Sequence, residues 1–251
     1  MRRRLSIVLP CHNEVEAVGP VLHRLDGLVE EWSRNDLELH EVIVVDDGST
    51  DGSACAVDSW AANSTRSGMS IRLVQHEERK GYGAAIKTGI NMAEGDLIAF
   101  YDVDGTYDPE HIPSLVRAMN ESNALMACGD RLSSCEHMPL TREIGNRLFV
   151  GTINLLFGTR VVDSCTGMRV FPRSMSDFFA HQHLPNGLDY SLALTLSFLK
   201  GGHGLVEMPI PYARRIGRSK LRVLSDGPRF YMRIIGAWLR PLQKSSKPEK
   251  R

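Results

Sequence analysis

The sequence lacks any long apolar run. None of its 251 residues sit in a stretch approaching the roughly 18 consecutive apolar residues that a bilayer-spanning helix requires. The start, Met1-Arg2-Arg3-Arg4, is basic, but the apolar run behind it ends at Pro10, too short for a signal-peptide core. Neither secretion nor a spanning helix is therefore expected. Cysteine is sparse: Cys11, Cys55, Cys128, Cys135 and Cys165 form an odd set with no C-x-x-C pair and no metal-ligand spacing. That pattern argues against a disulfide framework or a zinc site and fits reduced thiols in the cytoplasm. There is no internal repeat and no low-complexity segment. An apolar fraction of 42% supports a proper core and is too low for a membrane bundle.

Net charge is also absent, with 30 Lys/Arg against 30 Asp/Glu, but the balance is uneven along the chain. From Lys200 onward there are 13 basic and 3 acidic residues, a net of +10; the remainder holds 17 against 27, a net of −10. The asymmetry predicts that the C-terminal part meets something anionic: nucleotide phosphates, a lipid phosphate or a membrane surface. A solvated basic tail accounts for Lys244 to Arg251.

The first half alternates strand and helix patterns. Short apolar runs at Leu5–Leu9, Glu41–Val45, Ile71–Val74, Leu97–Phe100 and Leu125–Cys128 read as strands. Between them lie helical patterns over Val15–Trp32, from near Asp51, from the Gly81/Gly83 turn to about Ala93, and over Pro109–Glu121. Alternation at these lengths implies a single doubly wound, mostly parallel α/β sheet flanked by helices. After residue 130 the pattern loosens, leaving helix candidates at Leu148–Phe157 and Asp189–Leu199 and a strand candidate at Val206–Ile210. No composition break marks a second domain; residues 1–221 read as one domain and 222–251 as an amphipathic helix with a basic tail.

Three acidic turns fall where strands end: Pro10-Cys11-His12-Asn13-Glu14, Asp46-Asp47-Gly48-Ser49-Thr50-Asp51-Gly52, and Asp102-Val103-Asp104-Gly105. In an open α/β sheet, ligands bind beyond the carboxyl ends of the strands. Each turn alone is ordinary turn chemistry; three on one edge make a polar site. Two carboxylates one residue apart, Asp102 and Asp104, are a natural seat for a divalent cation holding a phosphate-bearing substrate. Gly81 and Gly83 before a helix suit either a phosphate cradle or tight loop packing.

These turns, with Lys80-Gly81-Tyr82-Gly83-Ala84-Ala85, Gly89 and Glu94-Gly95-Asp96, resemble the family 2 glycosyltransferases of the GT-A fold over most of the chain. Within that family the resemblance is to dolichol- and polyprenol-phosphate hexose synthases. It implies inverting transfer of a hexose from a nucleoside diphosphate sugar to a polyprenyl phosphate, with Mg or Mn as cofactor and no nucleic-acid partner. UDP-glucose and GDP-mannose both remain candidate donors. It assigns Pro10, His12 and Glu14 to the nucleotide-lining segment, with His12 in place of the usual Tyr. Val45 and Asp47 match the base-reading positions, and Asp102 and Asp104 the metal and diphosphate pair, with Val103 between them where Ala is usual. Arg131 matches an arginine at the acceptor phosphate, and Arg214 and Lys220 a basic pair closing on the phosphates. For Arg215 and Arg218 a surface or membrane contact is expected instead. Asp163, opening Asp163-Ser164-Cys165-Thr166-Gly167-Met168-Arg169, matches a position often held to be the base. A phosphate acceptor is already ionised, so there an orienting role suffices.

The segment Pro228 to Pro241 is amphipathic: Phe230, Ile234, Ile235, Trp238 and Leu239 share one face, flanked by Arg229, Arg233 and Arg240. It suits a helix lying on an anionic membrane, or one packed on its own domain. Peripheral attachment at the cytoplasmic membrane face is the consistent expectation. Two other readings stay open: a soluble or glycolipid hydroxyl acceptor, and a non-catalytic nucleotide-sugar-binding subunit.

Overall fold

The computed structural model describes residues 2–63, 69–135, 137–217, 219–221 and 223–240. Arg218 and the tail from Pro241 onward, for which expectations were given above, lie outside the described residues. The elements run β1 (Arg3–Cys11), α1 (Val15–Asp26), α2 (Val29–Arg34), β2 (Leu37–Asp46), α3 (Ser53–Asn63), β3 (Ile71–Gln75), α4 (Tyr82–Met92) and β4 (Leu97–Phe100). They continue α5 (Ile112–Glu121), β5 (Met126–Asp130), α6 (Leu140–Phe157), β6 (Arg169–Pro172), α7 (Ser176–His181), α8 (Tyr190–Lys200), β7 (Leu205–Pro209) and α9 (Val223–Leu239).

The strands form one sheet in the order β3-β2-β1-β4-β6-β5-β7. Only β6 runs against its neighbours; every other pairing is parallel. The sheet is buried on both faces, as a parallel sheet must be. On one face Leu5, Ile7 and Leu9 of β1 pack with Val18, Leu22 and Leu25 of α1 and with Leu115 and Met119 of α5. On the other, Val8, Ile98 and Phe100 meet Ala85, Ile86 and Ile90 of α4 and Tyr190, Leu194 and Phe198 of α8. Gly89 lets α4 lie directly on β1, since a Cβ there would come within 2.2 Å of Val8 Cγ1.

The sequence reading differs from the structure in several places, among them α7, which had no counterpart, and β2, which starts four residues earlier. The helix over 15–32 is broken at Gly27–Leu28 into α1 and α2. Helix α6 begins a full two turns before Leu148, because its opening residues are polar or exposed. Strand β6 had no counterpart, since its four residues include the fully buried Arg169 and a terminal Pro172. That omission matters for topology. As β6 is antiparallel to β4, its amino end lies at the carboxyl edge of the other strands. It therefore delivers Asp163 to Met168 to the edge where the acidic turns lie.

Helix α9 packs on the domain. Phe230 and Ile234 are buried with Phe149 and Ile153 of α6 and Leu192 and Leu196 of α8. The fully buried Asp189, just before α8, binds both Arg229 and Arg233, one helical turn apart. Lys200 Nζ donates to the carbonyls of Ala237 and Arg240 at 2.8 and 2.9 Å, satisfying acceptors at the far end of α9. Arg229 and Arg233, expected to flank a membrane, thus hold the helix to its own domain, and the five apolar residues divide: Phe230 and Ile234 inward, Ile235 half-buried, Trp238 and Leu239 exposed. Asp189→Ala should lower stability by about 2 kcal/mol, the scale of a lost charged hydrogen bond. Thermal unfolding would show the loss, and limited proteolysis should then cut first within α9.

Candidate active site

The acidic turns are built before any ligand arrives. Asp46 accepts from Ser49 N at 3.3 Å and from the Ser49 hydroxyl. Asp51 accepts from Ser53 N and Val15 N, each at 3.0 Å, so it caps α3 and ties it to α1. Asn13, at a positive φ of 52°, accepts from Thr50 N at 2.8 Å. The Ser49 and Ser53 hydroxyls also accept from Asn13 N and Glu14 N, each at 2.9 Å, so Ser49, Asp51 and Ser53 staple the turns at β1 and β2 together. Asp47 is equally committed: it accepts from Lys80 N, Gly81 N and His76 Nδ1, all at 2.8 Å. Burial works against its charge, but the His76 and backbone donors outweigh this and hold its pKa below the usual carboxylate range. His76 also meets the Thr88 hydroxyl at 3.0 Å and is a satisfied core residue.

The glycine turn before α4 packs on protein rather than cradling a phosphate. Gly81 has φ of 107°, and a Cβ there would lie 2.4 Å from Asn186 O. The Gly83 amide donates to the same carbonyl at 2.7 Å. What this turn delivers is Tyr82, whose hydroxyl donates to Asp102 Oδ1 at 2.7 Å. Burial, then the nearby Asp102 charge, push the Tyr82 pKa well up, so it stays a donor.

Asp102 and Asp104 follow β4 directly. Burial and the Asp104 charge raise the Asp102 pKa to about 6, with Tyr82, Arg131 and Arg215 pulling the other way. Asp104 is held by Thr106 N at 3.0 Å and the Thr106 hydroxyl at 2.5 Å. A side chain at Gly167 would press on Asp102, coming within 2.6 Å of Oδ2. Among the described residues no three His, Cys, Asp or Glu side chains form a metal-binding group. The fit to a divalent cation rests on the donor chemistry: two hard carboxylates, open space kept by Gly167, and a guanidinium already standing where a cation belongs. That guanidinium is Arg215, which pairs with Asp104 and, at 2.8 Å, with Glu14. Lys220 also binds Glu14. Backbone bonds fix the strap, Ala213 N to Thr106 O at 3.1 Å and Ile216 N to Asp104 O at 2.8 Å.

At the end of β5, Arg131 is gripped by Asp163, Nε to Oδ2 at 2.7 Å and Nη2 to Oδ1 at 2.9 Å. Its guanidinium lies 6.0 Å from the Tyr107 ring centre and 5.9 Å from that of Tyr212. Burial opposes its charge, and the Asp163 carboxylate more than compensates, so Arg131 remains charged. The Asp163 side chain is 0% exposed and also accepts from the Cys165 amide at 3.1 Å. Such a carboxylate orients an arginine. Next to it Arg142, from the first turn of α6, donates to the hydroxyls of Tyr212 and Ser219 and has no carboxylate partner among the described residues.

A cavity of about 570 Å³ joins these groups. Of the residues singled out in the sequence, Pro10, His12, Glu14, Asp47, Asp102, Val103, Asp104, Arg131 and Lys220 line it. Val45 does not: it is wholly buried among Val8, Ile43 and Ala85. Asp163 stands behind Arg131. Arg214 is exposed and outside the lining, and its neighbour Arg215 takes the inward place. The expectation of a surface or membrane contact for Arg215 is thus replaced by two ion pairs inside the cavity. His12 Nδ1 donates to Asp47 O at 2.8 Å, which fixes the ring. Tyr82, Tyr107, Arg142 and Tyr212 were not given roles from sequence. Tyr82 alone had a signal, its place on the first turn of a helix opening at the strand ends.

The glycosyl transferase family 2 model matches residues 6–179. A dolichyl-phosphate hexose transferase of Haloferax volcanii is 27% identical over 224 residues, covering 89% of each chain. A low-salt glycan biosynthesis hexosyltransferase of the same organism is 29% identical over 228 residues, and this chain spans only 51% of its length. A dolichol-phosphate mannosyltransferase of Mycosarcoma maydis is 27% identical over 225 residues, 86% of this chain and 73% of its own. In fold, glucosyl-3-phosphoglycerate synthase from Mycobacterium tuberculosis, solved with Mn2+, UDP and phosphoglyceric acid, superposes with a TM-score of 0.71 at 20% identity, covering 95% of this chain and 80% of that one. With the sheet edge, the acidic turns and the matched residues in agreement, this chain belongs to glycosyl transferase family 2.

Proposed function

We propose that the chain transfers a hexose, with inversion, from a nucleoside diphosphate sugar to a polyprenyl phosphate, using Mg or Mn, at a membrane surface. The observation that carries this is the polarity of one cavity. Carboxylates line one end, Arg131 and Arg142 stand between, and an apolar end lies between α6 and α9, lined by Leu148, Phe149, Leu188, Leu221, Phe230 and Met232. A hydroxyl acceptor would need a free base; Asp163 has both oxygens engaged. The names of the Haloferax and Mycosarcoma relatives specify dolichyl phosphate chemistry, and the mycobacterial structure contains Mn2+ and UDP, which supports the reading. No helix among the described residues is long and apolar enough to cross a membrane.

The residues divide the reaction as follows. His12, held by Asp47 O, and Pro10 line the nucleoside end. Asp102, oriented by the Tyr82 hydroxyl, and Asp104, oriented by Thr106, would hold the divalent cation together with diphosphate oxygens. When bound, that cation would offset the charge that grows as the nucleoside diphosphate departs. Arg131, pre-set by Asp163 and two tyrosine rings, orients the acceptor phosphate without needing to reorganise. One phosphate oxygen then bonds the anomeric carbon as the bond to the diphosphate breaks, and the bonding pair leaves with the diphosphate. Arg215 and Lys220, paired with Glu14 and Asp104 when no donor is present, transfer to the diphosphate.

The direct test is transfer from UDP-glucose and GDP-mannose to detergent-solubilised polyprenyl phosphate, with the product identified by mass spectrometry. Asp104→Asn should cut turnover by about 100-fold or more; wild-type turnover in that variant would contradict the assignment. Arg215→Ala should weaken binding of the nucleoside diphosphate with Mn by about tenfold or more, the scale of a lost charged hydrogen bond. Arg214→Ala should leave that affinity within about twofold, as expected for an exposed side chain; titration calorimetry separates the two.

A further inference from the structure

A buried hydroxyl at the cavity wall has no bonding partner. Ser191, on the first turn of α8, is 3% exposed and lines the cavity, yet its Oγ makes no hydrogen bond among the described residues. A hydroxyl in that state costs stability, and the cost is removed when a ligand supplies the missing bonds. Thr195, one turn further along the same helix, shows the contrast. It is as deeply buried, and its hydroxyl is fully engaged with Arg169 Nη2, Ser164 O and Ser191 O.

The backbone fixes where Ser191 stands. The amides of Gly83 and Ala84 donate to Asn186 O at 2.7 and 3.3 Å. Lys87 Nζ donates to Leu184 O at 3.1 Å and to Asn186 Oδ1 at 2.5 Å. A Cβ on Gly83 would come within 2.8 Å of Tyr190 Cβ. The starts of α4 and α8 are thus pressed together, with Tyr82 on one and Ser191 on the other. The Ser191 hydroxyl lies close enough to the Tyr82 phenol to favour its ionised form, but no hydrogen bond is completed between them. Tyr82 donates its own proton to Asp102 Oδ1, so its oxygen keeps acceptor capacity. Neighbouring residues of the same segments, Ala85, Gly167 and Leu188, give the cavity small or apolar walls here. Apolar walls with hydroxyl partners between them suit a sugar ring, whose faces are C–H and whose rim is O–H. The place is also right for one: it adjoins Asp102, and the hexose is the group attached directly to the diphosphate proposed to bind there.

We infer that Ser191 and Tyr82 read the donor hexose: one ring hydroxyl accepts from Ser191 Oγ and donates to the Tyr82 oxygen. The bonds then run in one direction, from Ser191 through the hexose hydroxyl and Tyr82 to the Asp102 carboxylate, and each strengthens the next. A site that bonds a substrate hydroxyl rejects the analogue lacking it, because its own buried groups are then left unpaired. Ser191 therefore selects donors with a free hydroxyl at that ring position over deoxygenated or substituted ones. This inference rests on the proposed nucleoside diphosphate hexose donor, and its test separates the two.

The test compares nucleotide with nucleotide sugar in Ser191→Ala, by titration calorimetry with Mn against UDP and UDP-glucose and against GDP and GDP-mannose. For the pair that the wild-type chain binds, the variant should bind the nucleotide sugar about tenfold more weakly, the scale of a lost bond to a buried group. The bare nucleoside diphosphate should bind within about twofold of wild type, as for a residue that does not touch it. The unfolding temperature without ligand should not fall, since the hydroxyl removed has no partner. Ser191→Cys, which keeps the volume but offers only a weak donor, should match Ser191→Ala. Monodeoxy analogues of the same donor locate the hydroxyl: the one that weakens binding to wild type should bind Ser191→Ala no worse than the parent donor does. Equal losses for nucleotide and nucleotide sugar, or wild-type donor affinity in either variant, would overturn the inference. If wild type transfers a hexose while Ser191→Ala binds the donor normally, the hexose-reading role falls and the proposed reaction stands. If wild type binds no nucleoside diphosphate sugar with Mn, the proposed reaction falls and this inference with it.

Discussion

Carboxylates crowded at a poorly hydrated sheet edge must be met by cations, and the site is arranged around that requirement. Glu14, Asp102 and Asp104 come from the ends of β1 and β4, and burial with mutual repulsion already lifts Asp102 to about 6. An isolated buried charge is expensive, so the chain supplies Arg215 and Lys220 from the segment after β7. The same cations suit the diphosphate of a donor, and the same carboxylates suit a divalent cation. On the proposed function, binding of donor and metal would be an exchange of partners: the carboxylates would trade arginine for metal, and the arginine would trade carboxylate for phosphate.

The topology makes that exchange local. Six parallel strands put their carboxyl ends on one edge, and the single reversed strand, β6, returns its preceding loop to the same edge. Asp163 therefore sits behind Arg131, and Gly167 leaves space beside Asp102. Arg169, fully buried with no carboxylate partner among the described residues, knits this loop to α8 through Ser191 O at 2.9 Å and Thr195 Oγ1 at 2.8 Å. The far edge is closed by polar groups too. Glu41 accepts from Ser6 Oγ at 2.7 Å and from Glu94 N at 2.8 Å, so the Glu94-Gly95-Asp96 turn is structural and distant from the cavity.

Much of this was legible in the sequence because strands and their ends are written in short-range patterns. Leu97–Phe100 followed by Asp102 and Asp104 announces both a strand and what stands beyond it. The same logic located the turn that carries His12 and Glu14, whereas Arg131 came from the family resemblance. It failed where the signal is tertiary. Whether Arg214 or Arg215 turns inward is a one-residue choice in an irregular segment, settled by backbone bonds from Ala213 and Ile216 to the Asp104 turn. Val45 was given a place against the base, yet its alternation on β2 points it into the core. In α9 the arginines at 229 and 233 read as membrane flanks because their partner, Asp189, lies 40 residues or more earlier in the chain.

The central claim is that donor and divalent metal bind as one unit at Asp102 and Asp104. Thermal-shift measurements with nucleoside diphosphates, each alone and together with Mn or Mg, test it most directly, because a ligand that binds only the folded state raises the unfolding temperature. The account predicts a marked rise only when one nucleoside diphosphate and the metal are present together, and its loss in Asp104→Asn. An equal rise with the diphosphate in the presence of a chelator would contradict it.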